Sequence, residues 1–186
     1  MEPLGFDPFN NRQARDIRNK LAKSFLAALT AKDALLFQSC ISAYRQINLH
    51  ESYKRYVTDR LAKYEEAYSR IALENRREVL QQAATLWDLK LYYEMHEILE
   101  PEWRTAAGEK RKAMQGLIRA AGMKIHAESN RDKAAASMGA KALADLLQYG
   151  RELQGFGNFE AVLAEIEKTI AANGGRSNGG ENPVMR

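Results

Sequence analysis

Between Pro8 and Pro101 the chain contains neither a glycine nor a proline. Few features restrict a fold more, because these two residues are the strongest punctuation of turns and loops. Up to about residue 148 Gly and Pro stay few, while Ala, Leu, Glu, Lys, Arg and Gln dominate. That is helix-forming composition, and it predicts an all-α protein. The 186 residues fit one domain of ordinary size with a proper core.

Apolar periodicity divides the chain into a compact bundle of about seven to eight helices. After an irregular lead over residues 1–9, helices are expected from about Asn11 to Thr30 and from Asp33 to Gln46, broken at Lys32-Asp33. A turn comes next, with Asn48 or Ser52 as N-cap and His50 as an exposed loop or capping residue. The next helices run from Tyr53 to about Leu73, with Tyr56, Leu61, Tyr64, Tyr68 and Ile71 on the apolar side, and from about Asn75 to Trp87. Later ones cover Glu109 to Glu128, Arg131 to Tyr149 with Asn130 as N-cap, and Phe159 to Ala172 capped by Asn158. Residues 1–70 read as an N-terminal helical extension packed on a core domain over 71–172. The Gly-, Asn- and Ser-rich residues 173–186 read as a flexible tail.

The chemistry concentrates in the stretch from Leu91 to Arg104. Most of it reads as one helix, on which His96 and Glu100 are neighbours at i,i+4. Leu89, Tyr92, Tyr93, Leu99 and Trp103 surround them, whereas Lys90, Glu94 and Glu97 lie on a polar arc to the side. An imidazole and a carboxylate thus stand in a stripe expected to face the core, and a buried carboxylate needs a partner. Pro101 lacks an N–H, so the helix is expected to end or kink there. On the next helix Gln115, Arg119, Gly122 and His126 form a second stripe at i, i+4, i+7, i+11. Gly116 and Gly122, costly inside a helix, call for the close approach of a neighbouring helix or a ligand.

Two readings of the stretch stay open. In one, His96 and Glu100 bind a metal or small ligand, with a divalent metal as the candidate cofactor. Glu94, Glu97, Gln115 or His126 would then supply further contacts. In the other, His96 and Glu100 belong to a buried hydrogen-bond network with Arg104, Arg119 or a tyrosine, and the chain is an interaction or scaffold domain. The HExxH zinc motif fails because Glu100 stands where its second histidine would be, and no serine elbow, phosphate loop or dinucleotide fingerprint is present. Whether the chain is an enzyme stays open.

Cys40 is the single cysteine, which excludes an internal disulfide and a cysteine-cluster metal site. Apolar runs are too short for a membrane span, and no secretory leader pattern is seen. A cytoplasmic, soluble protein is expected. The net charge of +4 is spread among interleaved acidic residues. That disfavours a nucleic-acid partner, which needs a one-sided basic stripe, and leaves a homo-oligomer open.

Over about residues 76–150 the chain resembles a bacterial and archaeal family known as domain of unknown function number 309. The signature His-x-x-x-Glu-x-x-Trp/Tyr is met by His96, Glu100 and Trp103. Tyr92-Tyr93-Glu94-Met95-His96-Glu97 is similar to the family's Tyr-Phe-Glu-Ala-His-Glu. Gln115-Gly116-Leu117-Ile118 is similar to its Gln-Gly-Leu-Ile, and His126 sits where a later histidine is common. Met95 replaces the usual alanine, Lys90 a frequent glycine, and Ala127-Glu128-Ser129-Asn130 lacks the usual Gly-Asn. The resemblance implies a compact helical domain with one helix surrounded by others, a motif for which metal binding has been proposed, and no established activity.

Overall fold

The computed structural model describes residues 5–174, so the expected tail lies outside the described residues except at its start. Eight α-helices and no strand occur among the described residues. They are α1 (Arg12–Ala31), α2 (Leu35–Arg45), α3 (Glu51–Leu73), α4 (Val79–Asp88), α5 (Tyr92–Thr105), α6 (Gly108–Glu128), α7 (Asp132–Tyr149) and α8 (Phe159–Gly174). A short 3-10 turn, Gly150–Glu152, comes directly after α7.

Most of the joints between helices carry a left-handed residue that is not glycine. Lys32, Asn75, Lys90, Asn130 and Asn158 take that conformation, at φ of 50 to 57°, each in the joint between two consecutive helices. Asparagine tolerates it better than most L-residues, and it fills three of the five positions. Asn130 therefore reverses the chain between α6 and α7, and the cap position of α7 falls to Arg131, one residue later than the sequence suggests. Asn11 caps α1 by accepting from the Ala14 N–H at 3.0 Å. At α3 the cap is His50, whose Nδ1 accepts from the Ser52 N–H at 3.3 Å, not Asn48 or Ser52.

One hydrophobic core runs from Ala14 to Ile166. Its N-terminal part is aromatic: Phe25 of α1 stacks on Tyr64 of α3 at 4.2 Å, and the Phe37 ring of α2 stands edge-on to both. Its C-terminal part is built around α6, which packs against α5, α7 and α8. The two interior glycines of α6 answer to α7. A Cβ at Gly116 would lie 2.8 Å from the Leu146 side chain, and one at Gly122 would lie 2.5 Å from the Met138 sulfur. A neighbouring helix, rather than a ligand, accounts for both.

α5 does not end at Pro101. The helix passes through the proline to Thr105 and is closed by the Ala106 N–H donating to the Glu102 carbonyl at 2.9 Å. Proline removes one intrahelical hydrogen bond, and the contacts of the last helical turn offset that loss. Trp103 packs against the core, and the Arg111 guanidinium lies 4.5 Å over its ring. Arg111 also reaches the carbonyls of Arg104 and Ala106, at 3.3 and 3.4 Å, which tethers the final turn to α6.

Candidate functional site

The residues that the sequence groups on α5 separate in space. Glu100 pairs with Arg104 at 3.2 Å on the surface, where the two side chains are 33% and 66% exposed. His96, half-buried, turns its Nδ1 to Glu97 Oε1 at 3.3 Å. Trp103 is half-buried, and its indole N–H has no hydrogen-bond partner.

The fully buried carboxylate of α5 is Glu94, which corrects its expected place on the polar arc. It accepts a 2.6 Å hydrogen bond from the Tyr64 hydroxyl and lies 3.7 Å from Arg60 Nε. The reason is the partner helix. α3 presents Tyr56, Arg60 and Tyr64 at four-residue spacing, and this row supplies a cation and a hydroxyl to the flank of α5 that carries Glu94. The sequence carries a signal for it: Arg60 stands midway between two tyrosines on the apolar side of a helix.

His96 faces the other way, toward α6. Together with Gln115, Arg119, Gly122 and His126 it lines an open cleft of about 450 Å³, whose other walls are Phe9, Arg18, Tyr93, Ile118, Ile125 and Met138. The i, i+4, i+7, i+11 stripe of α6 is therefore a cleft wall. Of the candidate residues, His96, Gln115 and His126 come together there, whereas Glu97, Glu100, Trp103 and Arg104 do not line it. Sequence reasoning misses Phe9 and Arg18. Phe9 belongs to the lead segment, and nothing local reveals that its ring stacks on His126 at 4.8 Å.

The electrostatics of the cleft are uneven. Burial and the nearby Arg131 hold the His126 imidazole below its ordinary pKa, which favours the neutral ring at pH 7. Its buried Nδ1 has no hydrogen-bond partner. The His96 imidazole beside it keeps the Glu97 carboxyl below the usual range, against the opposing effect of burial. Burial and the Glu97 charge push the Tyr93 hydroxyl up. The Arg18 guanidinium lies 3.9 Å over the Tyr93 ring, and Arg119 is bound to Asp145 of α7.

A metal fits these residues poorly. His96 and Glu97 offer two donors, and among the described residues no group of three His, Cys, Asp or Glu side chains converges to hold an ion. A stable site wants three or more protein donors with ordered geometry.

Residues 80–138 match the family model described as Domain of unknown function (DUF309). The matched stretch runs from α4 into α7, so it contains His96, Glu100, Trp103, Gln115 and His126 and leaves out Phe9, Arg18 and Arg60. Comparisons with curated proteins and with solved structures give no match.

Proposed function

We propose that the chain is a binding protein for a small, flat organic molecule, held in the cleft between α5 and α6 by His96, Gln115 and His126. One observation carries this reading: His126 Nδ1 is buried without a partner, in a ring that walls an open cleft alongside a second imidazole and an amide. Two imidazoles and an amide on the wall of an open cleft form the mixed hydrogen-bonding surface that such a ligand engages, with the His126 ring turning to present its unpaired nitrogen. Phe9 and Tyr93 supply flat apolar surface, and the neutral His126 can donate or accept. A metal is left out of this reading because the donors are too few.

The test is saturation-transfer NMR with benzamide, a flat, uncharged probe bearing an amide. Transfer to benzamide that is abolished in His126→Leu is the expected result. Transfer that is absent, or that survives both His126→Leu and His96→Ala, would contradict the reading.

A second reading rests on α2, which leaves Leu35 and Leu36 exposed, with Ile47 exposed just beyond its end. Such residues favour an interaction face for a second copy or a partner protein. Light scattering across a concentration series, with Leu36→Glu as the variant, checks it. Among the described residues no helix is long and apolar enough to cross a membrane.

A further inference from the structure

Beside the histidine cleft lies a second one, of about 280 Å³, between the lead segment, α3 and the ends of α5 and α6. Its charged lining is mainly cationic: Arg18, Arg60, Lys63 and Lys90 against Asp59 and Glu128. Lys63 is tied to Asp59 at 3.1 Å. Arg60 is the unusual member. It is only 7% exposed, yet its Nε and Nη1 have no hydrogen-bond partner, and Glu94 stands at the long distance of 3.7 Å. The Tyr56 ring lies 4.8 Å from the guanidinium, and the Tyr56 hydroxyl is likewise buried without a hydrogen-bond partner.

A guanidinium carries five donors in a fixed fork and cannot shed its charge. Burying it with donors unmet is costly unless an acceptor arrives. Planar or tetrahedral oxyanions match that fork best. Arg18 adds a second cation at the mouth of the same cleft: its guanidinium lies over the Tyr93 ring and donates to Asn19 Oδ1 at 3.2 and 3.1 Å, a neutral partner that leaves its charge uncompensated.

We propose that this second cleft is an oxyanion site, in which a carboxylate or phosphate group sits against Arg60 with Arg18 and Lys63 completing the charge. The two clefts share Phe9, Arg18, Tyr93 and Ile125. The oxyanion is accordingly the acidic end of one ligand, whose flat part reaches His96 and His126. That last step rests on the flat-ligand reading above, whereas the oxyanion site stands without it.

The experiment is a set of thermal melts in sodium phosphate and in sodium succinate, each against sodium chloride at matched ionic strength. Variants of Arg60 would uncover Glu94 and risk the fold, so the half-buried Arg18 and Lys63 are the probes, with Glu100→Ala as control. Wild type and Glu100→Ala should be stabilised by phosphate, succinate or both, and the more effective ion identifies the head group. Arg18→Gln and Lys63→Gln should each raise the half-saturating concentration by about tenfold, the loss of one charge-assisted contact. No stabilisation beyond chloride in wild type would overturn the proposal. So would stabilisation that persists unchanged in both variants, since that is a general salt effect. A phosphate effect that depends on Arg18 and Lys63 without benzamide contact at His126 would sustain the oxyanion site and retire the flat-ligand reading. Benzamide contact without any anion effect would do the reverse.

Discussion

Glu94 and Glu100 stand on one helix in opposite surroundings. Glu94, in the first turn of α5, is fully buried between the Tyr64 hydroxyl and the Arg60 guanidinium of α3. Glu100, beyond the middle of the same helix, is a third exposed and meets Arg104 across one turn of surface. The difference shows that the surroundings of a carboxylate on a helix are set by the helix packed against it. It also divides the labour of α5: one flank locks α3 to the core, another faces the cleft through His96, and the far end is a surface pair.

The largest expected effect is at the buried flank. Arg60→Met leaves Glu94 buried beside a single hydroxyl, and should cost about 3–5 kcal/mol in urea denaturation. A loss under about 1 kcal/mol would erase the distinction between the two ends. Tyr64→Phe is the finer test, since it removes one hydrogen bond to the carboxylate and little volume. It should cost about 1.5–3 kcal/mol by the same measurement.

A pH series examines the cleft flank. The His126 imidazole is held below its ordinary value by burial and by Arg131. As pH falls through the ordinary histidine range the unfolded chain takes up its proton first, so stability should drop there and level off below the folded value. Melting temperatures between pH 8 and pH 5 should show this fall, smaller in His126→Phe, which keeps a ring for Phe9 to stack on. Glu97 acts lower: its folded pKa is depressed by His96, so its contribution holds above the ordinary carboxylate range and is lost as pH falls through the folded value. A slope between pH 8 and pH 5 unchanged by the substitution would mean that the imidazole is not buried in the cleft wall.

The smallest effect belongs to Glu100. Glu100→Ala should change stability by less than about 1 kcal/mol, as exposed i,i+4 pairs do. A loss comparable with Arg60→Met would restore Glu100 as a core residue.

Much of the fold is legible in the chain. The helices come from the missing glycines and the apolar spacing, because both are local. The α6 stripe is legible for the same reason: Gln115, Arg119, Gly122 and His126 share a face whatever packs on it. The site around α5 is only half legible. His96 stands out, but the carboxylate beside the core does not, since Arg60 and Tyr64 lie some thirty residues earlier and no local period links them to Glu94. Phe9 is illegible too, because an irregular segment has no repeat from which to infer the face it covers. Pro101 shows the opposite error. A strong local rule predicts a break, and the contacts of Trp103 and Arg111 outweigh it.

The most direct test of the division within α5 is a pair of double-mutant cycles measured by urea denaturation. One cycle takes Arg60→Met with Glu94→Leu, the other Glu100→Ala with Arg104→Ala. Strong coupling is predicted in the first, about 3 kcal/mol or more, with the double variant recovering much of what either single one loses. In the second, the predicted coupling is below about 1 kcal/mol. Equal coupling in the two cycles, or the larger value at Glu100 and Arg104, would contradict that division.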